Sequence, residues 1–157
     1  MNECWNFFKY AKIEELDIID NIIQEYDYWF SHVGKEHIKK KILNKECIFE
    51  NGIVLTYRIA DKKEILGDYT VLKNNTIIEQ IVNKDLSSDN SYAEHVFIKF
   101  INCAVGNTYL SVNKKNLRAL NFYKKMNMEK ISEYNSNNGK KKNIILMYNK
   151  SKKLKLN

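Results

Sequence analysis

Between residues 43 and 53 the spacing of apolar side chains changes from three-and-four to two, and that switch limits the chain to a mixed α/β fold. Before it, Ile13, Leu16, Ile19, Ile22, Ile23, Tyr26 and Phe30 recur at helical intervals and predict one apolar helix face running on from Lys12. Gly34 breaks the pattern. Ile38 and Ile42, one turn apart, then predict a second helix over residues 35–43. After the switch, residues 47–49 and 53–59 flank Asn51-Gly52. That pair predicts a tight hairpin, because a type I′ turn needs positive φ at both central positions.

The rest of the chain continues the alternation of periods. Residues 5–11 are aromatic and short, which predicts an opening strand. Polar turns at 61–63 and 73–75 bracket a strand over 65–72 and lead into another over 76–82. A polar loop at 84–91 precedes a helix over 92–103 with Val96, Phe97, Phe100 and Ile101 inward. A strand over 109–112, a helix over 117–126 and a closing hairpin of 129–134 with 144–148 follow. The predicted order is β-α-α-β-β-β-β, then α-β-α-β-β: an α/β mixed sheet with helices on both faces. Residues 1–150 read as one domain, and residues 151–157 as a basic, frayed C-terminal tail.

Charge and cysteine usage narrow the function classes. Lys and Arg number 26 against 19 acids, a net charge of +7. Only Arg58 and Arg118 are arginines, which leaves 26 − 2 = 24 lysines. Base and phosphate recognition favours the planar Arg fork, so the excess reads first as a solvated lysine surface. No apolar run reaches the ~18–20 residues of a membrane span. The N-terminus carries Glu3 and lacks a signal-peptide layout, so a cytoplasmic protein is expected. Cys4, Cys47 and Cys103 are odd in number and widely spaced, which predicts free, mostly buried thiols and no zinc site.

The most informative stretch is residues 109–131, Tyr-Leu-Ser-Val-Asn-Lys-Lys-Asn-Leu-Arg-Ala-Leu-Asn-Phe-Tyr-Lys-Lys-Met-Asn-Met-Glu-Lys-Ile. Asn116 is placed to cap a helix, Ala119 permits close packing, and Tyr123 lies four residues on along the same side. The pattern Asn116-x-x-Ala119-x-x-Phe122-Tyr123 resembles the C-terminal half of the GNAT acyl-CoA-dependent N-acetyltransferases. The Gly-Phe pair that opens the family's next strand stands here as Asn127-Met128, and Asn is the usual non-glycine residue where a chain turns left-handed after a helix. The resemblance implies a central, mostly antiparallel sheet in which the strands 76–82 and 109–112 splay apart.

It also implies a site. In the family a glycine-rich loop opening a helix cradles the pyrophosphate of acetyl-CoA on backbone N–H groups. The aligned segment here is Ser88-Asp89-Asn90-Ser91-Tyr92-Ala93. Ala93 keeps the last position, Ser91 replaces the first glycine, Ser88 replaces Gln or Arg, and Asp89 adds a negative charge. Ser88, Asn90, Ser91, Tyr92 and Ala93, with Ile81 and Val82 on the preceding strand and Asn116 and Tyr123 beyond, are the implied cofactor-binding residues. Glu79 falls where many members place a glutamate base, and its neighbours Ile77, Ile78 and Ile81 predict partial burial. Tyr123 matches the tyrosine often assigned as proton donor to the leaving thiolate. The acceptor pocket is implied at the turn of residues 28–34, where aromatics stand beside His32, a second candidate base. His37 and His95 belong to no motif.

Three functions remain open on these residues. One is a transferase moving an acetyl group from acetyl-CoA to a small-molecule or protein amine acceptor. Another is a nucleic-acid-modifying protein of the same fold, since the layout around residues 29–32, the basic helix after it and strand 52–58 is similar to phage proteins of the Mom DNA-modification type. The third is a fold-only binding protein that has lost catalysis. Fold alone does not choose among them.

Overall fold

The computed structural model describes residues 3–29, 33–85, 89–136 and 139–151. The four helices are α1 (Leu16–Gln24), α2 (Lys35–Leu43), α3 (Ser91–Cys103) and α4 (Leu117–Lys125). The strands are β1 (Cys47–Glu50), β2 (Ile53–Ile59), β3 (Glu64–Leu66), β4 (Tyr69–Val71), β5 (Thr76–Asn83), β6 (Thr108–Asn113), β7 (Glu129–Ser136) and β8 (Lys141–Tyr148). Six strands pair in the order β1-β2-β5-β6-β8-β7, and β3-β4 form a separate hairpin. Pairing is antiparallel in β1-β2, β6-β8 and β7-β8 and parallel in β5-β6. The β5-β6 register is two pairs long, Thr76 with Thr108 and Ile77 with Tyr109, whereas β6 and β8 pair over six. This is the mixed α/β, mostly antiparallel sheet that the resemblance implies.

The chain forms two compact units, Met1–Arg58 with Ile78–Cys103, and Ile59–Ile77 with Ala104–Asn157. In the first, the apolar faces of α1 (Ile19, Ile22, Ile23) and α2 (Ile38, Ile42) close over Cys47, Val54 and Val82. Both helices are nine residues long, too short to persist alone, so this burial is what holds them. A second cluster joins Trp5, Phe8, Tyr57 and Phe100, with Trp5 stacked on Tyr57 at 5.2 Å and edge-on to Phe100 at 5.3 Å. The β1-β2 turn carries φ +51 at Asn51 and +78 at Gly52, the double positive φ its sequence predicts.

In the second unit Ala60, Val71, Ile77, Tyr109 and Ile145 form the core, with Tyr69 and Tyr134 packed on it. Helix α4 has a capped start and a locked end. The Asn116 side chain accepts from the Ala119 N–H at 3.2 Å. At the other end the N–H of Asn127 donates to the Lys124 carbonyl and that of Met128 to the Tyr123 carbonyl, both at 3.0 Å, with Asn127 at φ +63. That is a Schellman motif with asparagine in the left-handed position.

Three expectations are corrected. Residues 5–11 form no strand of their own: Glu3–Phe7 is a 3-10 turn and Tyr10 makes one bridge, to Ile48. Trp5 and Phe8, three apart, bury their rings in the aromatic cluster, and that burial outweighs a ladder. The single strand expected over 65–72 is the β3-β4 hairpin, which reverses at Gly67-Asp68 with φ +64 at Gly67. Cys4 and Cys103 are not free thiols but a disulfide, their Cα atoms 5.5 Å apart across 99 residues of sequence. The N-terminal turn and the end of α3 meet through Trp5 and Phe100, a proximity that sequence spacing does not reveal. Cys47 alone is free, and burial pushes its thiol up to about 12, which leaves it inert as a nucleophile.

Candidate functional site

The first unit gathers charge around Glu79. Along β5 the flanking Ile78 and Gln80 are buried, while Glu79 is turned to the other face with its side chain 14% exposed. Its Oε1 lies 3.1 Å from Nη1 of Arg58 on β2 and 3.5 Å from Nε2 of His37 on α2. Its Oε2 lies 2.5 Å from Nζ of Lys41, an ion pair without the alignment of a hydrogen bond. Lys41 is itself buried, donates to the Tyr57 carbonyl at 2.8 Å, and stands 3.5 Å from Glu46 Oε1. A buried ammonium is tolerated only when so surrounded. Below this layer Thr56 and Gln80 bond side chain to side chain, and the Gln80 N–H donates to Thr56 Oγ1 at 3.1 Å, fixing β5 on β2.

The end of β5 leads to the second part of the site. Ile81 is half-buried and Val82 buried, and the Tyr26 hydroxyl donates to the Asn83 carbonyl at 2.6 Å. Ser88 lies outside the described residues. Asn90 takes φ +61, a left-handed conformation that asparagine tolerates better than most residues with a side chain. Helix α3 then starts at Ser91, with Ala93 buried and Ser91 and Tyr92 exposed. Asp89 Oδ1 accepts the Ser91 N–H at 3.1 Å, which places a carboxylate on the first amide of the helix. The amides of Tyr92 and Ala93, also in the first turn, have no carbonyl four residues back within the helix.

His32 lies outside the described residues, as do Phe30 and Ser31 of the same turn. The arms of that turn are described: Gln24 Nε2 donates to the Val33 carbonyl at 2.9 Å, and the Tyr28 and Trp29 rings meet edge-on at 4.6 Å. Asn116 and Tyr123 belong to the second unit. Tyr123 is buried, its ring edge-on to Phe122 at 5.4 Å, and burial pushes its hydroxyl well above the usual tyrosine range.

Sequence reasoning singled out Glu79 but missed the three groups around it. His37 and Lys41 are four residues apart, so they share a helix face, a spacing visible in the sequence. Nothing in the sequence aims that face at β5.

No family model matches the sequence, and no curated protein does. Solved structures do. A GNAT-family acetyltransferase from Bacillus cereus superposes with a TM-score of 0.64 at 17% identity, covering 90% of this chain and 95% of that one. Another from Streptococcus agalactiae gives 0.69 at 12%, over 90% and 94%. Naa20 of Chaetomium thermophilum, solved with a bisubstrate analogue, gives 0.72 at 9%, over 91% and 86%. The fold is that of the GNAT acetyltransferases. Within the GNAT fold, Glu79 and the start of α3 fall in one compact unit of this chain, and the α4 residues in the other. Among the described residues no helix is long and apolar enough to cross a membrane.

Proposed function

We propose that the protein is an N-acyltransferase that moves an acetyl group from acetyl-CoA to an amine acceptor. The observation that carries the reading is the entry to α3. A left-handed Asn90 feeds a 13-residue helix whose first turn offers the Tyr92 and Ala93 amides, with a small buried side chain at Ala93. A diphosphate fits such an entry, because first-turn amides lack helical partners and the helix dipole favours negative charge. The Asp89 carboxylate already holds the Ser91 N–H and lowers the charge complementarity. In the first unit the residues that would hold the cofactor are Ile81, Val82, Ser88, Asn90, Ser91, Tyr92 and Ala93; Asn116 and Tyr123 are carried over from the resemblance alone. When bound, it supplies an acyl group activated as a thioester.

The chain's own residues handle protons. For the proton of the acceptor ammonium, the resemblance offers Glu79 and, in the acceptor turn, His32 as the candidate bases. The Tyr123 hydroxyl, kept protonated by burial, is the donor to the departing group. The acceptor is an amine on a small molecule or a peptide. The reading includes a cytoplasmic setting, and the Cys4–Cys103 pair tests that part: cytosolic thiols are generally kept reduced, so acid-quenched thiol labelling would find both free there. The resemblance to Mom-type DNA-modification proteins gains no support from the structures named above.

Calorimetry with acetyl-CoA is the test. Binding is expected in the wild type, with tighter binding in Asp89→Asn and loss in Ala93→Trp. Absence of heat in both the wild type and Asp89→Asn at millimolar acetyl-CoA would overturn the reading. Tyr123→Phe should bind normally and turn over roughly 10²–10⁴-fold more slowly.

A further inference from the structure

We propose that His37 is the group that takes the proton from the acceptor amine, with Glu79, Lys41 and Arg58 as positioning residues behind it. The inference rests on the acyl-transfer reading above. It starts from how fully Glu79 is engaged. Oε1 faces Arg58 Nη1 at 3.1 Å and His37 Nε2 at 3.5 Å, and Oε2 faces Lys41 Nζ at 2.5 Å. A general base needs a lone pair directed at its proton, and two cations, Lys41 and Arg58, together with the His37 ring, crowd the carboxylate of Glu79.

His37 is placed differently. It lies in the first turn of α2, with its side chain 48% exposed and its Nε2 toward the carboxylate. Nε2 faces Glu79 Oε1, so the neutral ring that places its proton on Nε2 keeps its lone pair on Nδ1. A separation of 3.5 Å is long for a finished hydrogen bond. Such bonds commonly tighten only when substrate binds.

The charges gathered around Glu79 and Lys41 balance. Lys41 on α2 and Arg58 on β2 are cations; Glu79 on β5 and Glu46 just before β1 are anions. The cluster is neutral with His37 neutral and carries +1 once the imidazolium forms. In the step itself an N–H bond of the acceptor ammonium breaks, an N–H bond forms at Nδ1, and the nitrogen lone pair is freed for attack on the acyl carbon.

The experiment is a set of pH–rate profiles for acetyl transfer to a panel of primary amines, with the wild type, His37→Gln, His37→Ala and Glu79→Gln. His37→Gln should fold with an unchanged melting temperature, because the side chain is half exposed, and should lose roughly 10²–10⁴-fold in kcat/KM. It should also lose the acid limb of the profile, a change that a merely structural role would not cause. Added imidazole should restore part of the rate in His37→Ala and none in Glu79→Gln, which keeps its histidine. A wild type that transfers acetyl groups while His37→Gln matches it in rate and acid limb overturns the inference alone. A wild type that transfers to no amine overturns the acyl-transfer reading, and this inference with it.

Discussion

Replacing Cys4 and Cys103 together by serine tests the architecture of the first unit directly. The cross-link closes a loop of 99 residues in sequence, and its removal frees the unfolded chain rather than the folded one. In the folded state Trp5 remains stacked on Tyr57 and edge-on to Phe100, so the N-terminal turn stays docked. The chain-entropy relation gives about 4.7 kcal/mol for a loop of about 100 residues, and native disulfides of this kind commonly deliver about 2–4 kcal/mol. For a chain of this size about 3 kcal/mol corresponds to a fall in Tm of roughly 6–12 °C. Urea unfolding of the oxidised wild type and the double variant, followed by tryptophan fluorescence, should show the lower midpoint and a steeper slope, since the uncross-linked chain exposes more surface. Equal midpoints, or a non-reducing peptide map that joins Cys4 to Cys47, would refute the reasoning.

Three further perturbations have definite signs. Gly67→Ala sets a Cβ 2.5 Å from the Tyr134 ring at a residue with φ +64, so it should cost about 1–3 kcal/mol in urea unfolding; an unchanged midpoint would mean the β3-β4 hairpin packs elsewhere. Asn127→Ala should destabilise by about 1 kcal/mol while Asn127→Gly is neutral or stabilising, because only the alanine resists φ +63. The hydrogen bonds from Lys130 and Lys114 hold the Glu133 carboxyl down to about 2, so its favourable contribution is present above about 4.5 and lost as pH falls toward 2. Its lysine partners are exposed, so added salt should move its NMR titration midpoint back up, and an unchanged midpoint in ~0.5 M salt would refute the ion-pair cause.

The legible parts of the fold were those governed by neighbours in sequence. Asn51-Gly52, the Asn116 cap and the left-handed Asn127 are local devices, and each does in the structure what its residue type dictates. The Gly67-Asp68 reversal was equally local: a glycine-aspartate pair sits in mid-segment, but the apolar residues around it suggested one continuous strand. Trp5 and Phe8 carried a signal too, since a spacing of three suits a 3-10 turn better than a strand. Illegible from the outset were contacts between distant segments. Glu79 acquires its character from α2 and β2, 21 to 42 residues upstream, and Cys4 finds Cys103 across most of the chain. Long-range pairing of this sort leaves no periodic trace.

Asparagine also decides how this chain ages. Among the described residues five non-glycine positions have positive φ, and four of them are Asn51, Asn74, Asn90 and Asn127. Three are followed by a residue with a side chain, which hinders attack of the next backbone nitrogen on the amide carbon. Asn51 is exposed and precedes Gly52, where nothing hinders it. Ring closure there loses ammonia, and hydrolysis returns aspartate or isoaspartate, the latter inserting an extra atom into the main chain. The two-residue turn sets the register of Glu50 against Ile53, and through it the seat of every β1 side chain on β2. The turn that starts the sheet is therefore a place where stored protein becomes heterogeneous, visible as an acidic species on isoelectric focusing before any loss of fold.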